Sequence, residues 1–449
     1  MPFEITEQLI EQITGLILNQ DDEALLKLLE NEHHADIAEV LEDLNLEEAT
    51  YIIKLLDSDL TSEILMEMDE DDREKILQNL SEKEIAKELD ELDTDDAADM
   101  IAELPEDRQQ KVISNIEDKE HKADIQELLK YDENSAGGLM AKELVKVYDN
   151  WNVLKCVREM RAQAEFVTRV HSIYVVNENN QLEGRLSLKD LLTTSTKTPI
   201  SEVYIPKVDY VNVHDSAEDV ARVMQKYDLE AIPVVDDNMH LLGRITIDDI
   251  VDVIKEEADK DYQMAAGISQ DIEADDTLWQ HSRARLPWLF LGLFGGVGAA
   301  AIMGGFEEMI NKHAVLFFFT PLIGAMAGNV GVQASAIIVQ SIANSDLKGS
   351  IANRLFKEFS LAMVNGLALS IILFSFTWFW KKEILTSLAI SISLFVVIIV
   401  AGIIGTFIPL FLHKQKIDPA IATGPFITTS NDIFGILIYF SIAKMLLGI

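Results

Sequence analysis

The sequence predicts a multidomain membrane protein with an α-superhelical N-terminal domain, an α/β pair of repeated units, a connecting helix and a five-helix α transmembrane domain. Three observations carry this prediction. An apolar position recurs every twelve residues near the N-terminus, two segments 59 residues apart match each other, and five long apolar runs fill the last part of the chain. The predicted boundaries are 1–130 for the superhelix, 131–200 and 201–258 for the repeated units, 248–280 for the connecting helix and 281–449 for the membrane domain.

The charge is distributed unevenly along the 449 residues, whose formal net charge is −39. From Leu286 onward there are seven acidic and nine basic residues, which leaves 69 acidic and 28 basic residues, a net of −41, for the first 285. So acidic a soluble half repels nucleic acid and attracts cations. The single Cys156 excludes an intrachain disulfide, and the N-terminus lacks the pattern of a signal peptide.

The twelve-residue period runs from Leu44 to Leu104 and predicts a stack of short helices. Each periodic residue is followed by one that is typical of helix starts, namely Asn45, Asp57, Asp69, Ser81, Asp93 and Pro105. Capping boxes are predicted at Asn45 with Glu48 and at Ser81 with Glu84. Such a stack offers surfaces rather than chemistry. Its acidic stretches, 69–72 and 93–99, are interpreted either as a solvated face or as cation ligands.

Residues 173–192 and 232–251 share a pattern of apolar strand, polar turn, second strand and helix. Two such units resemble a tandem pair of CBS domains, a regulatory module that often binds adenosine nucleotides. The resemblance implies ATP as a ligand at the positions where that family holds a ribose. These positions are Ser187, Asp190, Thr246 and Asp249. The alternative is that both pairs are ordinary helix N-caps.

An acidic helix is predicted from Asp248 to Ser269, between the soluble half and the first apolar run. Asp249, Asp252 and Glu256 fall on one face of this helix, where like charges are unfavourable unless a cation lies nearby. The helix is interpreted either as a solvated linker or as an element that transmits a signal to the membrane domain.

Five apolar runs each reach the length of about 20 residues that a bilayer-crossing helix needs. Their predicted bounds are Leu286–Phe306, Ala314–Ile342, Phe359–Trp380, Ile384–Leu412 and Ala420–Leu447. Pro321 is expected to break the second helix. The loops on the N-terminal side carry seven Lys and Arg residues against four on the other side, which favours a cytoplasmic N-terminus. We therefore expect a multi-pass protein of the cell membrane.

Asp432 lies inside the fifth apolar run, where a carboxylate is costly and marks a functional site. Gly424 and Pro425 interrupt the helix before it. The polar residues expected to line a path beside it are Asn329, Gln333, Thr428, Thr429 and Asn431. Oxygen ligands without Cys or His favour a hard divalent cation that keeps much of its water shell, such as Mg²⁺. In a homodimer, two copies of Asp432 would face each other across a central pore.

The order of these parts resembles the MgtE-type magnesium channels and transporters. The motifs that carry the resemblance are YDENSAGGLM (131–140), GNVGVQ (328–333) and DPAIATGPFITTSNDIFG (418–435). The resemblance implies a homodimer in the lipid bilayer that takes up Mg²⁺ past Asp432 and closes when cytosolic Mg²⁺ binds regulatory sites. The metal ligands that it implies are Asp432, Asp95, Asp99, Gly138, Glu218, Asp228, Asp249, Asp252, Glu257 and Asp261. The chain departs from the family pattern at Lys260, Ala327 and Gly424.

Two other classes of protein compete with a magnesium channel. One is a secondary transporter for another divalent cation, cobalt or calcium, which usually needs further ionisable groups within its spans. Asp432 is the one such group well inside the five runs. The other is a membrane-anchored nucleotide sensor, which predicts neither an intramembrane carboxylate nor polar interruptions of the helices. An enzyme is not expected, because no nucleophile–base pair or phosphate loop is recognisable in the sequence.

Overall fold

The computed structural model describes residues 5–448, apart from residues 166, 168, 270–271, 273–275, 344–349 and 423. The chain forms two compact units, Met1–Ile254 and Lys255–Ile449. The first holds the stack of short helices and the α/β pair, and the second holds the long apolar helices. The fold class predicted from the sequence is confirmed.

Short helices form the N-terminal part of the first unit. They are α1 (Glu7–Leu18), α2 (Asp22–Leu29), α3 (His34–Glu42), α4 (Leu46–Leu55), α5 (Ser58–Glu67), α6 (Glu70–Gln78), α7 (Glu82–Leu89), α8 (Thr94–Ala102), α9 (Glu106–Asn115) and α10 (Lys119–Leu128). From α3 to α9 the helices begin twelve residues apart, so the period of the sequence is the spacing of helix starts. The predicted helix starts are all N-caps, and both predicted capping boxes are confirmed.

The same period places one apolar side chain of each helix in the core. These side chains are buried: Ile53, Leu65, Leu77, Leu89, Ile101 and Ile113. Each helix has only two to three turns and is marginal in isolation, so it is stabilised by packing its apolar face on its neighbours. The stack therefore presents its acidic first turns at regular intervals.

Two α/β units complete the first compact unit. The first contains β1 (Val145–Tyr148), α11 (Val153–Gln163), β2 (Ile173–Val176), β3 (Leu182–Leu186), α12 (Leu188–Thr193) and β4 (Ile205–Pro206). The second contains β5 (Val211–Asn212), α13 (Ala217–Tyr227), β6 (Ala231–Val235), β7 (Leu241–Thr246) and the start of α14 (Ile247–Ala266). Strands are ordered β1-β2-β3-β4 in one sheet and β5-β6-β7 in the other. In each sheet a parallel pair is followed by an antiparallel hairpin, and the register shifts at Val175/Val176 and at Val234/Val235, again 59 residues apart.

Five helices of the described residues are long and apolar enough to cross a membrane. They are α15 (Leu278–Gly304), α17 (Val315–Ala343), α18 (Ile351–Lys381), α19 (Ile384–Lys414) and α20 (Gly424–Leu447), with the short α16 (Glu307–Lys312) between the first two. Helices α17 and α19 cross closely, because a Cβ on Gly405 would lie 2.4 Å from the carbonyl oxygen of Gly331. Small residues permit such close crossings in membrane proteins.

The expected break at Pro321 is wrong, because α17 continues through this residue. Proline is tolerated within membrane helices when neighbouring groups satisfy the freed carbonyl. The apolar runs also understate α15 and α18, which each begin eight residues earlier than predicted. A helix extends into the polar residues that flank it, beyond the point where the apolar run ends. As a result Glu358, placed outside the third run, lies within α18, and a Cβ on Gly402 of α19 would be 3.0 Å from its Oε1.

Candidate cation sites

A cavity of about 530 Å³ lies among helices α15, α17 and α20, and we call it the membrane cavity. Of the described residues that line it, Asp432 is the one carboxylate. Glycines form much of the wall opposite, namely Gly292, Gly295, Gly296, Gly324 and Gly328. A Mg²⁺ ion with an octahedral shell of six waters, at about 30 Å³ per water, occupies roughly 200 Å³. The membrane cavity is therefore large enough for a hydrated ion.

Asp432 is half-buried and has no hydrogen-bond or ion-pair partner among the described residues. Two glycines of α17 leave space around its carboxylate. A Cβ on Gly324 would lie 3.4 Å from its Oδ1, and one on Gly328 would lie 4.0 Å from it. An unpaired carboxylate at membrane depth requires a cation, a proton or water. The membrane cavity leaves space beside Asp432 for any of these partners.

Three of the five residues expected to line a path beside Asp432 line the membrane cavity: Asn329, Thr428 and Thr429. Two do not. Gln333 is exposed on α17, and Asn431 is buried, with its Nδ2 donating to the carbonyl oxygen of Ala327 at 3.2 Å. Successive residues of a helix point about 100° apart, so Asn431 turns away from the face that carries Asp432. The sequence marked the polar stretch but not which face of α20 each residue occupies.

The last turn of α14 contacts the start of α20. Gly267, which ends α14, has φ +84°, and a Cβ on it would lie 2.4 Å from Cγ of Pro425. Gly424 has φ +49°, and a Cβ on it would lie 2.2 Å from the carbonyl oxygen of Ala265. Glycine is required at both positions by the positive φ and by this close approach. The connecting helix is therefore in direct contact with the helix that carries Asp432.

In the first unit, carboxylates gather where α8 begins near the start of α14, and we call Asp93, Asp95, Asp96, Glu143 and Asp249 the acidic cluster. Carboxylate oxygens of Asp93, Asp95 and Glu143 all lie within 4.8 Å of one another. Asp95 is only 9% exposed. Asp249 Oδ2 accepts hydrogen bonds from the backbone N and Oγ1 of Thr246, at 3.0 and 2.9 Å. The cluster offers the oxygen donors that Mg²⁺ prefers.

Burial and mutual repulsion shift the acidity of these groups. Burial raises the pKa of Asp93 to about 6, and the charge of Glu143 adds to the effect. Burial likewise raises the pKa of Asp96 to about 7, with Asp249 as the largest charge contribution. The pKa of Asp95 is raised well above its usual range by burial and by Asp96, and that of Asp249 is raised by burial. Full ionisation of the cluster is therefore unfavourable unless cations compensate it.

Arg244 supplies a fixed positive charge to the acidic cluster. Its Nη2 lies 3.2 Å from Oδ2 of Asp93, and its Nε donates to the carbonyl oxygen of Glu143 at 2.5 Å. The Glu143 side chain accepts from the backbone N and Oγ1 of Thr94, at 3.2 and 2.8 Å, and so caps α8. These contacts join the helical stack to the α/β pair. Arg185, at the matching position of the first repeat, is exposed and has no such partner in the part of the chain that the structure describes.

The other predicted metal ligands are spread along the chain. Asp99 lies one turn beyond Asp95, and burial raises its pKa to about 7. Gly138 lies in a turn between α10 and β1, Glu218 pairs with Arg222 at 2.7 Å, and Asp228 ends α13 with φ +50°. Asp252 is exposed on α14, Glu257 pairs with Lys260 at 3.1 Å, and Asp261 lies near Lys260. Within the described residues, the one group of three close metal-ligating side chains is Asp93, Asp95 and Glu143.

The two predicted nucleotide positions differ in their surroundings. Ser187 is the N-cap of α12, where its Oγ accepts from the backbone N of Lys189 at 3.1 Å, and Asp190 follows in the first turn. Thr246 and Asp249 hydrogen-bond to each other, and Asp249 belongs to the acidic cluster. The first position is therefore half-buried, whereas at the second Thr246 is buried and the charge of Asp249 acts on Asp95 and Asp96.

Four residues of the acidic cluster region were not singled out as ligands from the sequence: Asp93, Asp96, Glu143 and Arg244. The acidic stretch 93–99 contains the first two, and the repeat alignment pairs Arg244 with Arg185. Glu143 carries no sequence signal, because it is a single acid in a loop distant from α8 in the chain.

Models of known protein families match most of the chain. The MgtE divalent cation transporter family matches residues 320–442, and the MgtE intracellular N domain matches residues 32–134. CBS domains match residues 136–196 and 200–256. The matched segments follow the order of the helical stack, the α/β pair and the membrane helices.

Full-length relatives agree with these matches. The chain is 36% identical over 317 residues to the magnesium transporter MgtE of Bacillus subtilis, covering 70% of each protein. It is also 36% identical over 320 residues to that of Enterococcus faecalis, covering 71% of this chain and 70% of the other. Among solved structures, the cytosolic domain of the Mg²⁺ channel MgtE in complex with ATP superposes with a TM-score of 0.52 at 32% identity, over 54% of this chain and 99% of that one.

Proposed function

This chain belongs to the MgtE family of magnesium transporters, and from that premise we propose that it conducts Mg²⁺ across the membrane past Asp432. The observation that carries the proposal is the unpaired Asp432 carboxylate in a cavity that is otherwise lined by glycines, apolar residues and a few hydroxyl and amide groups. Mg²⁺ loses its waters reluctantly, so a single carboxylate with room around it suits contact through the water shell. A tight cage of several carboxylates would instead trap the ion.

The protein is a multi-pass membrane protein, and we propose that its N-terminus is cytoplasmic and that it acts as a homodimer. The acidic first unit and the excess of Lys and Arg in the loops on that side support the orientation. Among the described residues, the membrane cavity of one protomer has a single carboxylate, so a two-fold partner would supply a second Asp432 to the same path.

Flux measurements on protein in liposomes test the pore proposal. Asp432→Asn preserves the size of the side chain and removes its charge. We expect Mg²⁺ flux to fall by more than about a hundredfold, because a unit charge ~4 Å away at an effective dielectric of ~20 contributes roughly 4 kcal/mol. Glu358→Gln is the matched control, since it removes the acid of a membrane helix that does not line the cavity. Wild-type flux through Asp432→Asn contradicts the proposal.

The same liposomes distinguish the alternative substrates. Ca²⁺ and Co²⁺ replace Mg²⁺ outside the vesicles, and a proton or sodium gradient is imposed in separate runs. A magnesium channel conducts Mg²⁺ without any second gradient. Flux of cobalt or calcium that exceeds Mg²⁺ flux and follows an imposed gradient would favour the coupled transporter for another divalent cation.

We further propose that cytosolic Mg²⁺ closes the path by binding the acidic cluster. The raised pKa values of Asp93, Asp95 and Asp96 support this, because they report negative charge that Arg244 does not fully compensate. A divalent cation would hold α8 against the start of α14. The far end of the same helix contacts Gly424 and Pro425 of α20, so movement of α14 would reach the helix that carries Asp432.

Limited proteolysis of the full-length protein tests this regulation. Mg²⁺ is titrated at constant ionic strength, and cleavage between the helical stack and the α/β pair is followed. We expect protection to increase with Mg²⁺. Equal protection by sodium at matched ionic strength would show that simple screening is responsible and would contradict specific binding.

We also propose that ATP binds at Ser187 and Asp190 rather than at Thr246 and Asp249. Ser187 and Asp190 are half-buried, and the Asp190 carboxylate has no partner among the described residues, whereas Thr246 is buried and holds Asp249 by a hydrogen bond. The solved cytosolic domain of the Mg²⁺ channel MgtE that contains ATP is 32% identical to this chain where the two superpose, which supports a nucleotide ligand.

A further inference from the structure

Asn431 is the residue before Asp432 and has an unusual environment for an amide. It is 1% exposed, its Nδ2 donates to the carbonyl oxygen of Ala327 in α17, and no described residue donates to its Oδ1. Buried polar groups are normally satisfied, so a half-satisfied amide within a membrane bundle calls for an explanation. A leucine would fill a similar volume without leaving an acceptor unpaired.

The neighbouring helix is shaped to receive this amide. A Cβ on Gly331 of α17 would lie 1.8 Å from Nδ2 of Asn431 and 2.7 Å from Cγ2 of Ile427. Only glycine therefore leaves space for Asn431 to reach the Ala327 carbonyl. The close crossing of Gly331 and Gly405 holds this part of α17 against α19.

Asn431 belongs to a stripe of α20 that differs from the face lining the membrane cavity. Residues at intervals of four, namely Ile427, Asn431, Gly435 and Tyr439, are buried in the bundle. The stripe beside it, Thr428, Asp432 and Ile436, lines the membrane cavity. The two stripes are about 100° apart around the helix axis. Rotation of α20 that moved one stripe would move the other.

Two side chains of the buried stripe donate hydrogen bonds to α17. Tyr439 donates through its hydroxyl to the carbonyl oxygen of Leu316 at 2.9 Å, two turns away from the Asn431 bond. Apolar packing allows small rotations of a helix, whereas a directional hydrogen bond to a fixed carbonyl opposes them. The Asn431 bond lies next to the carboxylate and therefore controls its direction most closely.

We propose that Asn431 is a positioning residue, which fixes the rotation of α20 through the Ala327 carbonyl and so points Asp432 into the membrane cavity. The functional consequence rests on the proposed role of Asp432 in permeation. The orientation of Asp432 does not rest on that role, so the positioning role of Asn431 and the permeation role of Asp432 can be disproved separately.

Thiol labelling measures the orientation directly. Cys156 is the single cysteine and is buried, so a Cys156→Ser background carrying Asp432→Cys has one reporter thiol. We expect a cationic methanethiosulfonate reagent to label it through the cavity. Adding Asn431→Leu should slow labelling about fivefold, the change expected when one interhelical hydrogen bond is lost in a membrane protein. Asn365→Leu is the matched control, because this asparagine is exposed on α18.

Gly331→Ala provides a second test from the opposite helix. Its methyl group would displace the Asn431 amide, so it should slow labelling to a similar extent. In the presence of Asn431→Leu it should slow labelling less than it does alone, because the hydrogen bond is already absent and the close approach to Ile427 remains. An additive effect of the two changes would show that they act independently and would contradict the proposal.

Flux of the variants with Asp432 intact completes the test. With Asn431→Leu we expect the half-saturating concentration of Mg²⁺ to rise about fivefold and the preference for Mg²⁺ over Ca²⁺ to decrease, while the maximal rate changes less. A purely structural role would lower the amount of folded protein and leave both quantities unchanged. Unchanged labelling together with unchanged selectivity overturns the proposal, whatever Asp432→Asn does. Wild-type flux in Asp432→Asn overturns the permeation role alone.

Discussion

The acidic cluster and the membrane cavity both present carboxylates without full compensation, but they differ in number and space. In the cluster, carboxylate oxygens of three residues lie within 4.8 Å of one another, and burial raises the pKa values of Asp93 and Asp95. In the cavity, a single carboxylate faces about 530 Å³ with glycines around it. Crowded carboxylates bind a cation and change their arrangement when it leaves. A solitary carboxylate in a wide cavity holds a hydrated ion weakly enough to release it.

Under the functions proposed above, the two regions have opposite requirements. A sensor needs a large free-energy change on binding, which repulsion among buried acids supplies. A permeation path needs attraction that is sufficient for selectivity and small enough for release. The predictions below change the charge of the acidic cluster, its coupling to its surroundings or the nucleotide position of the first repeat, and each should leave the chemistry of the membrane cavity intact.

The largest effect is expected from neutralising the cluster. Asp95→Asn with Asp249→Asn removes both the repulsion and the ligands. We expect the helical stack to stay docked on the α/β pair without Mg²⁺. The factor by which Mg²⁺ raises the docking constant, measured from protease protection, should decrease by about a hundredfold. Asp71→Asn with Glu106→Gln is the control, since it removes equal charge from exposed positions. A normal Mg²⁺ response in the first variant would place the sensor elsewhere.

The pH dependence of docking follows from the raised pKa values. In the docked state the pKa values of Asp93, Asp96 and Asp99 are about 6, 7 and 7, whereas the usual pKa of an aspartate is 3.8. In the absence of divalent ions, protonation of these three carboxylates therefore favours docking. Docking is therefore fully favoured below about pH 4 and is lost as the pH rises through 6 and 7. Each carboxylate should lower the docking constant about tenfold per pH unit between its usual pKa of 3.8 and its raised pKa of about 6 or 7.

Small-angle scattering or proteolysis in EDTA across pH 4 to 8 would measure this transition. With saturating Mg²⁺ the transition should weaken, because the metal takes the place of the protons. A docked state that is independent of pH in EDTA would show that the cluster is compensated in another way.

A smaller effect is expected from Arg244→Gln. The change removes the ion pair with Asp93 and the bond to the Glu143 carbonyl, so docking without Mg²⁺ should weaken about tenfold, the contribution of a charge-assisted hydrogen bond. The loss is limited because Asp93 takes up a proton when its partner is absent. Arg185→Gln, at the matching position of the first repeat, should leave docking unchanged. Equal effects of the two changes would contradict a specific role for Arg244.

The smallest effect concerns the nucleotide. Asp190→Ala should weaken ATP binding about fivefold or more, as expected for the loss of a hydrogen bond to a ribose hydroxyl. Isothermal titration calorimetry on the full-length protein measures the affinity. Asp237→Ala, on the turn of the second repeat, provides an exposed control. Equal weakening by Thr246→Ala would show that the second position also takes part.

The sequence by itself determined the order and kind of the domains. A period of twelve predicts helix starts, because each short helix needs a capping residue and an apolar residue at fixed positions. Asn45 and Ser81 form the capping boxes expected of them. The 59-residue repeat predicts two copies of one strand pattern, and the structure adds a matching shift in register within each copy. Hydrophobic runs predict membrane helices, and a lone acid within one of them makes Asp432 a candidate site, because a charged residue in an apolar run is visible in the sequence alone.

Only the tertiary structure decided which groups meet. Asn431 and Asp432 are neighbours in the chain, but the rotation of α20 puts one against Ala327 and the other in the membrane cavity. Arg185 and Arg244 are equivalent in the repeat, but only Arg244 meets the helical stack. Glu143 joins Asp93 and Asp95 from a distant loop. Such contacts depend on helix rotation and on how separate elements pack, and a local pattern of residues contains neither.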